Sequence, residues 1–218
     1  MQLKICGMKQ PQNIADISAL NPDYLGFIFY EKSKRYVGED FVVGQGHALT
    51  LPKGIKKVGV FVNASLEYVL SKVEKYGLDL VQLHGEESPE YCRDFRWAIG
   101  GKGSAVCPTK TKIIKVFSIG ETFDFQQLEP YKPHCDYFLF DTKGKEKGGN
   151  GFAFNWNVLK NYDNEKPFFL SGGLSLENIE KVNELSDLNI VAIDVNSGFE
   201  IEAGLKDVEK IKKLIEIL

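Results

Sequence analysis

Cys6, Asp141 and Arg35 are the side chains of this chain best suited to act together chemically, alongside two glycine-bearing turns, Ser171-Gly172-Gly173-Leu174 and Asp194-Val195-Asn196-Ser197-Gly198. A thiol and a carboxyl flanking a small substrate suit proton abstraction on one side and proton donation on the other. With an ordinary pKa of ~8.5 the thiol needs help to be a base near neutrality, and the carboxyl needs a raised pKa to be an acid. Taken alone, Cys6 is more simply a small buried strand residue, whereas Asp141, before a glycine-rich stretch, points to function. Arg35 stands beside Lys34 and near Lys32. Its planar fork could clamp a substrate carboxylate, although a solvated basic loop explains the same residues. Gly172 and Gly173 let main-chain N–H groups approach an anion, with a helix capped by Ser175 aimed at it; a tight turn is the plainer account. Asn196, Ser197 and Gly198 would add a second cradle ahead of a short extra helix, and the two turns together favour a phosphate. Lys4, Gln82, His84 and Asp194 are secondary candidates for lining the pocket. For His84 the structural role is preferred, a backbone hydrogen bond orienting its loop. His47 and His134 receive no function, and Cys92, Cys107 and Cys135 read as inert thiols.

The elements that must position these groups are short apolar runs alternating with segments of helical period. The runs are Leu3–Cys6, Tyr24–Phe29, Lys57–Val62, Leu78–Leu83, Ile113–Ser118, Tyr137–Asp141, Phe168–Ser171 and Ile190–Val195. Most are apolar at nearly every position, as parallel strands covered on both faces require. Ser65 predicts an N-cap for a helix carrying Leu66, Val69, Leu70 and Val73 on one stripe, and Asp207 caps a last helix. Pro11, Pro89 and Ser175 begin others, while Gly44 and Gly46 weaken the second helical segment. Eight strand–helix units imply right-handed crossovers and an α/β fold, a single (β/α)8 barrel over residues 1–218. An open doubly wound sheet competes, but no G-x-G-x-x-G follows the first strand. In such a barrel the chemistry belongs at the C-terminal ends of the strands, and loops 7 and 8 are a frequent phosphate site. Residues 96–112 then fall on the opposite, stability face, and residues 142–155 on the catalytic face.

Composition closes off other classes. Twenty-seven Lys and Arg against 30 Asp and Glu leave a net charge of −3, with no basic excess to hold nucleic acid or an anionic membrane. No apolar run is long enough to span a bilayer, and the strand-like start leaves no room for a signal peptide. Four cysteines without C-x-x-C spacing and only three histidines predict a cytoplasmic protein with reduced thiols, no metal and no disulfide frame.

Lys4-Ile5-Cys6-Gly7-Met8, Gly26-Phe27-Ile28-Phe29 with Ser33-Lys34-Arg35-Tyr36, and Gly59-Val60-Phe61-Val62-Asn63 occur in that order. Val81-Gln82-Leu83-His84-Gly85, Asp141-Thr142-Lys143, Gly148-Gly149-Asn150-Gly151, Leu170-Ser171-Gly172-Gly173-Leu174 and Asp194-Val195-Asn196-Ser197-Gly198-Phe199-Glu200 follow. The chain resembles, over essentially its whole length, the phosphoribosylanthranilate isomerases of tryptophan biosynthesis. That resemblance implies a cofactor-free Amadori rearrangement of a small phosphosugar substrate. It places Cys6 on the family's general base, Asp141 on its general acid and Arg35 on the arginine that holds the anthranilate carboxylate. The Gly172-Gly173 and Asn196-Ser197-Gly198 turns match its phosphate loops. A monomer is favoured, with no nucleic-acid or membrane partner.

Three departures stand out. Phe152-Ala153-Phe154-Asn155-Trp156 replaces the family's usual Lys-Thr-Phe-Asp-Trp, which removes a cationic or capping contribution and bears on lid closure. Asn196 stands where Ser is usual and keeps a hydrogen-bonding side chain. Residues 100–112 look like an insertion on the far face. Two rivals remain. A histidine-pathway isomerase would carry Asp where Cys6 stands and a second anion loop after strands 3 and 4. A phosphosugar-binding barrel without catalysis would have no need of both Cys6 and Asp141.

Overall fold

A computed structural model describes residues 1–39, 41, 50–100, 110–142 and 156–218. Eight strands carry the architecture: β1 (Gln2–Ile5), β2 (Tyr24–Ile28), β3 (Lys56–Phe61), β4 (Leu80–Leu83), β5 (Lys112–Ile119), β6 (Tyr137–Thr142), β7 (Phe168–Ser171) and β8 (Ile190–Val195). Each is hydrogen-bonded in parallel to its neighbours, and β8 pairs with β1 in the register Lys4 to Asp194, so the sheet closes. The competing open sheet is thereby excluded, and the fold is the expected (β/α)8 barrel.

Alternation along each strand divides the residues between two cores. Tyr24, Val58, Leu80, Ile114, Val116, Leu139, Phe169 and Ala192 fill the barrel interior, and Tyr24 and Tyr137 both meet the Phe169 ring edge-on. The opposite faces of the strands, with Leu25, Phe27, Val81, Phe138, Phe140 and Phe168, pack beneath the surrounding helices. Two residues beyond the apolar plug, at the C-terminal ends, the inward positions turn polar on β4, β6, β7 and β8, while β2 and β3 stay apolar with Ile28 and Val60. Leu80 is followed by Gln82, Leu139 by Asp141, Phe169 by Ser171 and Ala192 by Asp194. That switch makes a polar bowl on an apolar floor.

Four α-helices are described: α1 (Pro11–Ser18), α2 (Leu66–Tyr76), α3 (Pro89–Gly100) and α4 (Val208–Ile217). The Ser65 hydroxyl accepts from the Tyr68 amide, and Gly77 ends α2 at φ 55°. Asp207 accepts from the amides of Glu209 and Lys210 at the start of α4. Four expectations need correction. The helical segments Phe125–Tyr131, Trp156–Asn161 and Ile179–Leu185 are 3-10 turns rather than α-helices. Ser175 opens a turn rather than an α-helix: its carbonyl accepts from the amides of Asn178 and Ile179, its amide donates to Asn178 Oδ1, and the 3-10 segment follows from Ile179. Arg96 to Gly100 belong to α3, so the fourth helix runs further than the Gly- and Lys-rich composition suggests. Strand ends shift by up to two residues. The helical segment expected around Gly44 and Gly46, together with His47, Cys107, residues 143–155 and most of residues 100–112, lies outside the described residues. Among the described residues no helix is long and apolar enough to cross a membrane, and no group of His, Cys, Asp and Glu is arranged to hold a metal.

Candidate active site

The polar bowl opens into a cavity of about 420 Å3 at the C-terminal ends of the strands. Cys6 comes to it from the end of β1, Gln82 and His84 from β4, Asp141 from β6 and Asp194 from β8. Its other side is formed by the two turns, Gly172 and Gly173 after β7, and Asn196, Ser197 and Gly198 after β8. Gly172 and Gly173 have φ of 87° and 63°, left-handed values that side chains resist, so this turn needs glycine for its shape. Ser197–Phe199 forms the short extra helix expected after β8, of 3-10 type. Counted around the barrel, β6 is three strands from β1 one way and five the other, which sets the thiol and the carboxyl across the cavity from each other.

Lys4 departs from expectation. It is fully buried and does not line the cavity; its Nζ donates to Asp194 Oδ1 at 2.8 Å. Lys4 and Cys6 are two apart on β1 and therefore share its inward face. Burial alone would strip Lys4 of its charge, but Asp194 and then the Cys6 thiol hold its pKa above the ordinary value. Burial pushes the Cys6 thiol up, and the nearby ammonium groups of Lys4 and Lys206 pull against that rise.

Arg35 lies beyond the lining of the cavity, paired with Glu200. Its Nε donates to Glu200 Oε1 at 2.9 Å and Nη2 donates to Oε2. Glu200 also accepts from Lys206 Nζ at 2.7 Å, and the same ammonium donates to Asn196 Oδ1 at 2.7 Å. Burial would raise the Glu200 carboxyl, but hydrogen bonds from Arg35 and Lys206 bring it down to about 2. Arg35 is thus tied to the turn after β8 through two charged side chains that sequence reasoning left without a role. Glu200 and Lys206 lie on a hairpin of β9 (Glu200–Glu202) and β10 (Leu205–Lys206). In the sequence Glu200 appears only as the last residue of the motif after strand 8, and Lys206 in no motif at all.

His84 also differs from expectation. It is two residues past Gln82 on the same inward face, and its ring meets side chains rather than orienting its loop by a backbone bond. Nδ1 is 3.1 Å from Gln82 Nε2, and Nε2 is 3.7 Å from Asp141 Oδ2. Cys92 and Cys135 are buried free thiols, as expected of packing residues.

The arrangement combines a thiol, a carboxyl and two main-chain turns suited to an anion, which is the equipment for proton transfer on a phosphorylated substrate. A family model described as N-(5'phosphoribosyl)anthranilate (PRA) isomerase matches residues 3–217. The chain is 44% identical to an N-(5'-phosphoribosyl)anthranilate isomerase from Parabacteroides distasonis, over 99% of this chain and 92% of that protein. It is 38% identical to one from Caldanaerobacter subterraneus, over 99% and 97%. The crystal structure of the Thermotoga maritima phosphoribosyl anthranilate isomerase superposes with a TM-score of 0.75 at 30% identity, covering 100% of this chain and 98% of that one. A crystal structure of such an isomerase in complex with reduced 1-(o-carboxyphenylamino)-1-deoxyribulose 5-phosphate matches with a TM-score of 0.74 at 28% identity, over 99% and 97% of the two chains. This chain belongs to the N-(5'-phosphoribosyl)anthranilate isomerase family.

Proposed function

We propose that the protein catalyses the Amadori rearrangement of N-(5'-phosphoribosyl)anthranilate to 1-(2-carboxyphenylamino)-1-deoxyribulose 5-phosphate in tryptophan biosynthesis, with Cys6 as general base and Asp141 as general acid. The observation that carries this reading is one cavity shared by the thiol, the carboxyl and both glycine-bearing turns. Family membership favours it over the histidine-pathway reaction, and Cys6 stands where that enzyme would need an aspartate.

Protonated Asp141 delivers its proton to the furanose ring oxygen, the C1–O bond breaks and a Schiff base forms. Ionised Cys6 then takes the proton from C2, giving an enolamine that tautomerises to the ketone. Asp141 ends as carboxylate and Cys6 as thiol, so one net proton passes between them through solvent before the next turnover. Lys4 and Lys206 favour the thiolate that this cycle requires, and Asp194 keeps Lys4 charged in a buried site. The phosphate would rest on the Gly172-Gly173 and Asn196-Ser197-Gly198 turns, whose peptide dipoles and N–H groups suit an anion. Arg35, held along one edge by Glu200, has its other edge to offer the anthranilate carboxylate. No cofactor enters the scheme.

The test follows the fluorescence of phosphoribosylanthranilate, generated in situ because it is labile. Wild-type protein should consume it, and Cys6→Ser should keep affinity for the reduced product while losing roughly 10²–10⁴-fold in kcat. A wild-type protein that binds the reduced product without turnover would be a phosphosugar-binding barrel. Near wild-type turnover by Cys6→Ser would make the thiol structural.

A further inference from the structure

We infer that His84, fixed by Gln82, is a positioning residue that steadies the carboxylate Asp141 leaves behind when it gives up its proton; this rests on Asp141 being the acid. Gln82 is almost completely buried at the barrel wall, and its Nε2 lies 3.1 Å from His84 Nδ1. An amide NH2 has only hydrogens to offer, so Nδ1 must accept, and the ring of neutral His84 carries its proton on Nε2. Nε2 faces Asp141 Oδ2 at 3.7 Å. That is longer than a hydrogen bond, and it is a distance that a small rotation of the partly exposed ring closes.

The geometry gives His84 a purpose at one stage of the cycle. A neutral Nε2–H has little to offer protonated Asp141 and much to offer the carboxylate, because hydrogen bonds to charged acceptors are the strong ones. Ring opening converts the first form into the second. His84 would therefore favour the state towards which the transition state moves, without being consumed. Among the described residues, the other ionisable groups that line the cavity with Asp141 and His84 are Cys6, from the end of β1, and Asp194, from β8. Neither carries a side-chain N–H to set against Oδ2.

Two experiments decide it. Three histidines in the chain make the imidazole nitrogens of His84 assignable by 15N NMR, with His84→Leu identifying its signals. At neutral pH the spectrum should show Nε2 protonated and Nδ1 bare, and Gln82→Leu should mix the two tautomers. A proton on Nδ1 would mean that Gln82 presents its Oε1 instead, and would overturn the assignment. In kinetics, His84→Leu should lower kcat by roughly ten- to a hundredfold, the usual worth of a hydrogen bond to a charged group, with binding of the reduced product unchanged within a few-fold. The limb of the pH–rate profile set by loss of the Asp141 proton should move to higher pH, and His84→Gln should restore part of the rate. Unchanged kcat, or a loss of analogue binding as large as the loss of rate, would overturn the inference. Asp141→Asn run alongside separates the two readings: if it stays active the acid assignment itself fails, whereas inactive Asp141→Asn beside fully active His84→Leu removes only the role of His84.

Discussion

Replacing Gly26 with alanine tests how closely the catalytic reading depends on the position of one sulfur atom. Gly26 is on β2, beside the end of β1, and a Cβ built there would stand 2.8 Å from Cys6 Sγ and 3.0 Å from Cys6 Cα. Ordinary contact begins at 3.4 Å, so Sγ must retreat by about 0.6 Å or the two strands must separate. Backbone cannot move aside as the end of a flexible side chain can. Overpacking of this kind costs roughly 1–3 kcal/mol, and a reacting group misplaced by about an ångström costs on the order of a hundredfold in rate. Gly26→Ala should therefore lower kcat by about one to two orders of magnitude while the protein remains folded at 25 °C. Gly38→Ala is the control: its φ of 86° strains an alanine, but a Cβ there meets nothing within 4 Å. It should lose stability without losing kcat. Urea unfolding gives the stability of each variant, and the fluorescence assay gives kcat. A Gly26→Ala enzyme with wild-type kcat and reduced stability would show that Cys6 needs no defined position, which is incompatible with its taking the C2 proton.

Further perturbations address the groups around the cavity. Arg35→Ala should weaken binding of the reduced product by about 1.5–3 kcal/mol while leaving a plain pentose phosphate little affected; equal losses would move Arg35 to the phosphate. Lys4→Met leaves buried Asp194 uncompensated and should cost roughly 3–5 kcal/mol of stability, much of it restored in Lys4→Met/Asp194→Leu. A double variant as unstable as the single one would show that charge pairing is not what Lys4 supplies. Glu200, held at about 2 in the folded protein, binds protons more readily when unfolded, so its contribution to stability is present above the ordinary carboxylate range and is lost as pH falls towards 2. Thermal melts of wild type and Glu200→Gln should accordingly converge on acidification; a constant gap between them from neutrality to pH 3 contradicts this.

Much of the barrel was legible in the order of the residues. Apolar runs such as Phe168–Ser171 and Ile190–Val195 read as strands covered on both faces, and their number favours a barrel over an open sheet, though only the pairing of β8 with β1 shows closure. Polar residues ending otherwise apolar runs, Gln82, Asp141 and Asp194 among them, marked the inner rim because side-chain direction in a strand has a period of two. The glycine pair after β7 marked a tight turn or an anion cradle, and the structure shows both glycines in left-handed conformations. Local signals also misled in part: Ser175 looked like the cap of an α-helix, whereas the turn it opens leads into a 3-10 segment capped at Asn178. What no local pattern contains is the partner of each charge. Arg35 and Glu200 are 165 positions apart and Lys4 and Asp194 are 190 apart, yet both pairs lie within hydrogen-bonding distance. His84 meets Asp141 only because β4 and β6 face one cavity. Residue types determine which groups are able to carry charge or move a proton, because that is a property of each side chain. Which of them are buried together, and so which stays charged, depends on the solvent excluded and the partner supplied when the ring of strands closes.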